Sequence, residues 1–140
     1  MTNSNSKGKR AEREAAAALQ RVFGVACRRS QQYAGGTDSA DVIGVDGVHV
    51  EVKHQERMRL FDWVEQAVRD CGQNVPVVLH KQNRKPWLIT IQLDDVPRFV
   101  DTIAKNEAIA NHTLCNMARV VDTVQDQSGS AEHQATVRDS

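Results

Sequence analysis

Between Lys7 and Phe23 the segment KGKRAEREAAAALQRVF places Ala11, Ala15, Ala18, Leu19, Val22 and Phe23 at helical spacing, with charges opposite. It is rich in strong helix formers, so it predicts an amphipathic helix, with Gly24 as its C-cap. VACRRS (25–30) predicts a short strand, and QQYAGGTDSA (31–40) a loop by its Gly, Ser, Thr and Asp content. The pattern then changes to period two. VIGV and VHVEVK flank Asp46-Gly47, which predicts a hairpin. RLFDWVEQAVRDCG (59–72) returns to helical spacing, with Leu60, Trp63, Val64, Ala67 and Val68 on one face and Gly72 at the end. PVVLHK (76–81) and WLITIQL (87–93) read as strands joined by the turn QNRKP, and DDVPRFVDTIAKNEAIANH as a helix with Pro97 near its start. This order predicts an α/β fold, a single domain built on a mixed β-sheet flanked by helices. Residues 1–6 and 122–140 are polar and predict disordered ends around a folded domain at 7–121.

The hairpin has two possible registers. A two-residue loop pairs Val42 with Glu51 and mixes the faces. A three-residue loop, Val45-Asp46-Gly47, pairs Val42 with Val50 and Asp41 with Glu51. Only the second collects Val42, Val48, Val50 and Val52 on one face, and hydrophobic pattern sets register. It needs Gly47 in the left-handed conformation. It also brings two carboxylates, Asp41 and Glu51, opposite each other with Lys53 beside them. A cation relieves their repulsion, and oxygen ligands of this kind suit Mg²⁺ or Mn²⁺. Lys53 can hold or deprotonate a water, or neutralise charge developing on a phosphate. The plainer reading is that both acids lie at the surface, paired with Lys53 and Arg57.

Composition narrows the class. The chain has 140 residues, formal net charge zero and 40% hydrophobic residues, ordinary for a soluble globular protein. It has no apolar run long enough for a membrane span and no secretory h-region at its N-terminus. Cys27, Cys71 and Cys115 are odd in number, far apart and without a CxxC, which fits a reducing, cytoplasmic setting and no zinc site. Charge is unevenly spread. Residues 1–30 carry seven Lys and Arg against two Glu, whereas 94–140 carry four against eight acids. The basic front end, with Lys7, Lys9 and Arg10, is compatible with phosphate binding. No histidine pair has metal-binding helical spacing, and no Gly-rich phosphate loop is present.

Asp41, nine residues, then Glu51-x-Lys53 resembles the PD-(D/E)xK nuclease motif, with Ala40 where that motif has Pro. KGKRAERE (7–14) is similar to the N-terminal helix signature of archaeal-type Holliday junction resolvases, roughly K-G-x-x-x-E-R-E, and Arg29-Ser30 sits where that family has an Arg-Ser pair. The resemblance spans residues 7–93. It implies a restriction-endonuclease-like fold and a Mg²⁺-dependent (or Mn²⁺-dependent) endodeoxyribonuclease that hydrolyses phosphodiester bonds in branched DNA as a homodimer. It implies Asp41, Glu51 and the Val52 backbone carbonyl as metal ligands, Glu12 facing the metal site, and Lys53 orienting or activating water. Lys7, Lys9, Arg10, Arg13, Arg29 and Ser30 would contact DNA, and Gln66 would support the site from the following helix. Helical geometry by itself leaves Glu12 and Glu14 both open as the helix acid. Two alternatives stand beside the resolvase reading: a nuclease of flaps, single strands or a specific duplex site, and a non-catalytic DNA-binding module that keeps the fold.

Overall fold

A computed structural model describes residues 3–31 and 39–132. The elements run α1 (Ser4–Phe23), β1 (Arg28–Arg29), β2 (Val42–Ile43), β3 (Val48–His54), α2 (Leu60–Asp70), β4 (Val75–Lys81), β5 (Leu88–Thr90) and α3 (Val96–Glu132), with a 3-10 turn at Leu93–Asp95. The five strands form one sheet in the order β1-β2-β3-β4-β5. β3 and β4 are parallel and joined through α2, while the other neighbouring pairs are antiparallel. This is the mixed sheet with flanking helices that the pattern predicts.

Each face of the sheet has its own apolar cover. Val48, Val50 and Val52 of β3, with Val75, Val77 and Leu79 of β4, pack with Ala11, Ala15, Ala16 and Leu19 of α1. The small alanines let the helix backbone lie close to the strands. On the other face Val78 packs with Trp63 and Ala67 of α2. Side chains alternate along a strand, so His49, Glu51 and Lys53 point to this second face.

The hairpin register is the expected one, Val42 opposite Val50. Gly47 has φ 81° and so takes the left-handed conformation at the turn. Gly44, at φ 132°, lies so close to the Ala26–Cys27 backbone just before β1 that a Cβ there would sit 2.2 Å from the Ala26 carbonyl oxygen. Gly24 caps α1 in the left-handed conformation, its N–H donating to the Gln20 carbonyl.

Three boundaries differ from expectation. Residues 4–6, expected as disordered chain, are the first turn of α1, because Asn3 caps it by accepting from the Asn5 N–H. α3 runs on through residues 122–132, which composition alone assigned to a disordered tail. β5 covers Leu88–Thr90 rather than 87–93, since the chain turns into the 3-10 segment at Leu93. Residues 1–2, 133–140 and most of the expected loop (32–38) lie outside the described residues. The chain forms two compact units, up to Glu107 and from Ala108. The first contains the whole sheet. Within it Asn106 fixes the β2–β3 turn, accepting from the Asp46 N–H and donating to the Asp46 carbonyl, both at 2.9 Å.

Candidate active site

Asp41 precedes β2, where the ladder slips by one residue: its N–H donates to the Val50 carbonyl. Its carboxylate turns onto β3 and accepts from the Val52 N–H at 2.8 Å. Burial pushes the Asp41 carboxyl up to about 7, and the negative charge of Glu51 adds to this; the Val52 N–H opposes it, and Glu12 raises it further. Glu51 is 4% exposed. A buried carboxylate needs a partner, and Lys53 supplies it, with Nζ 2.9 Å from Glu51 Oε1. The same Nζ donates to Gln66 Oε1 at 3.0 Å, so α2 braces the ammonium from the other side. His49 is fully buried on this face with Nε2 3.9 Å from Glu51 Oε2, and neither ring nitrogen makes a hydrogen bond among the described residues.

The two acids of α1 go separate ways. Glu12 acts on Asp41 and forms an ion pair with Arg29 of β1. Glu14 turns toward Arg10 and Lys81. Glu12 is thus the helix acid on the Asp41 side. Arg29 pairs with Glu12, and Ser30 is half-buried with its N–H on the Asp41 carbonyl. Lys7, Lys9, Arg10 and Arg13 are exposed along α1. Lys7 lines a groove of about 320 Å³ that opens onto Glu12, Val52 and Lys53. Sequence reasoning missed the tie between Glu14 and Lys81, which lie on different elements with no motif joining them.

Residues 3–130 match the family described as "Phage putative PDDEXK endonuclease". The chain belongs to this family. No curated protein matches it. Among solved structures it is similar to Archaeoglobus fulgidus Hjc, a Holliday junction resolvase from an archaeal hyperthermophile, at 29% identity over 61% of this chain and 72% of that one, with a TM-score of 0.45. PDDEXK nucleases generally use divalent metals, and the donors here fit one. Burial first, and the Glu51 charge second, raise the Asp41 carboxyl, and a cation held by both carboxylates would offset that cost. Among the described residues no three His, Cys, Asp or Glu side chains converge. A cation in this PDDEXK site would therefore complete its shell with backbone oxygen and water, as magnesium commonly does. No helix among the described residues is long and apolar enough to cross a membrane.

Proposed function

We propose that the protein is a Mg²⁺-dependent, structure-selective endonuclease that hydrolyses phosphodiester bonds in branched DNA, with the four-way junction as its substrate. The observation that carries this reading is the Asp41–Glu51–Lys53 arrangement. A carboxyl held on the Val52 N–H stands beside a buried carboxylate, with an ammonium braced by Glu51 and Gln66. Junction preference rests on the KGKRAERE signature and Arg29-Ser30, and a junction with two related scissile phosphates calls for a two-fold homodimer.

Asp41, Glu51 and the Val52 carbonyl would hold the cation, Mg²⁺ or Mn²⁺, which supplies Lewis-acid stabilisation of charge on the phosphate. The chain's own residues do the rest. Lys53, fixed by two acceptors, presents its remaining N–H to orient a water for in-line attack, and its charge offsets the negative charge that develops. Glu12 holds Arg29 at the Asp41 side, and Lys7, Lys9, Arg10 and Arg13 face the DNA backbone.

The test uses labelled four-way junction, 5′-flap, single-stranded and plain duplex DNA, each with Mg²⁺ and with EDTA, beside Glu51→Gln. Paired nicks in the junction, lost with EDTA and in the variant, are expected. Cutting of flaps or single strands instead would keep the site and replace the substrate. Binding without cutting would point to a non-catalytic module.

A further inference from the structure

A second groove, of about 550 Å³, lies over the first turns of α1 and is lined by Lys7, Arg10, Glu14, His54, Lys81 and Asn83 among others. It shares Lys7, Ala11 and His54 with the groove that opens onto Glu12, Val52 and Lys53. The two therefore adjoin at Lys7 and His54, one on the side of the candidate active site and the other at the end of β4.

The groove at the end of β4 is built for an anion and already holds one. Arg10 Nε lies 3.0 Å from Glu14 Oε1, and Lys81 Nζ lies 4.0 Å from Glu14 Oε2. Glu14 is the one acid lining this groove among the described residues, so two cations share a single carboxylate. Lys81 is not a loose surface lysine. Its side chain is 19% exposed, and its ammonium sits 5.3 Å over the Trp87 ring. Hydrogen bonds tie the wall of the groove together. The His54 ring pairs with Asn83 Oδ1 at 2.9 Å, the Asn83 N–H donates to Glu56 Oε1, and Gln82 donates to the Glu56 carbonyl. Arg84 and Lys85 follow in the exposed turn.

We propose that this groove seats the DNA strand flanking the scissile phosphate, with Lys81 and Arg10 binding its phosphodiesters and Glu14 as the anion the phosphate displaces. The inference rests on the nuclease reading above and gives its substrate a path. The Arg10–Glu14 pair is exposed and so weak in water, and Lys81 approaches Glu14 only to 4.0 Å. A phosphodiester brings counterion release as well as charge, so exchanging Glu14 for phosphate is favourable at low salt. Glu14 then sets how tightly DNA is held, which explains an acid placed among cations on a DNA-facing helix.

Binding of a labelled four-way junction in EDTA would be measured against salt for wild type, Lys81→Ala and Glu14→Gln, with urea midpoints as the folding control. Lys81→Ala should weaken binding severalfold and flatten the salt slope by about 0.7–0.9, the value for one phosphate left without its cation. Glu14→Gln should tighten binding at low salt and steepen the slope. Neutral methylphosphonate linkages would then be placed singly on each side of the cut. One position should cost wild type severalfold and cost Lys81→Ala nothing. Equal costs in both proteins at every position, or a Glu14→Gln variant that binds no tighter, would overturn the proposal. A wild type that binds the junction but cuts no DNA with Mg²⁺ would instead sink the nuclease reading, and the binding series would still report on the groove.

Discussion

Asp41 keeps its proton to about pH 7 because burial strips water from its carboxylate and Glu51 adds negative charge nearby. An ordinary aspartate loses it at 3.8. The folded protein therefore binds this proton more tightly than the unfolded chain does. That favours folding at low pH and is lost as pH rises from about 4 to about 7. Metal-free protein followed by urea denaturation should lose stability across this window, and Asp41→Asn should flatten the loss and unfold later than wild type at pH 8. Below pH 7, divalent binding should release a proton. Gln66→Leu removes one of two acceptors from Lys53, and single-turnover cleavage should slow about three- to tenfold, the effect of one hydrogen bond. His49→Leu replaces a buried ring that makes no hydrogen bond among the described residues and should stabilise the metal-free protein by about 1 kcal/mol. At this scale period two and a turn made it legible that Glu51 and Lys53 share a face with Asp41 near them, whereas Gln66, on a helix, came only from the family resemblance. The Glu12–Arg29 pair was not legible as such: it joins a helix to an edge strand, and no local spacing encodes that meeting.

The hairpin shows what can be read at the scale of elements. A valine pattern chose between two registers, and the chosen one demanded a left-handed Gly47, which the structure has. What could not be read was the close approach of the Ala26–Cys27 backbone to Gly44, since it depends on the chain leading into a strand only two residues long. Gly44→Ala should cost more than about 2 kcal/mol, because both the conformation and the space are denied to a side chain. Gly24→Ala meets nothing within 4 Å and should cost about 1 kcal/mol, the conformational part alone. Urea denaturation of both variants separates crowding from backbone strain. Equal losses would mean that the Ala26–Cys27 backbone yields at Gly44. Helix ends were misread where capping decides them: Asn3 starts α1 earlier than the apolar stripe does.

For the whole molecule, composition gave class and little else, since zero net charge hides a basic front end and an acidic back. The unit up to Glu107 contains every strand. A chain ended after Glu107 should unfold in one transition and respond to Mg²⁺ as the full chain does, by thermal melting with and without the ion. A chain ended after Lys105 should melt earlier and more broadly. The difference between them is Asn106 and Glu107, and the Asn106 amide holds both polar groups of the Asp46 backbone from 60 residues away. That distance has a consequence for how the protein is made. Synthesis runs from the N-terminus, so the strand bearing Glu51 leaves the ribosome long before the residue that ties down its hairpin. A nascent chain stopped short of Asn106 carries Asp41, Glu51 and Lys53 without the fastening of the turn between their strands.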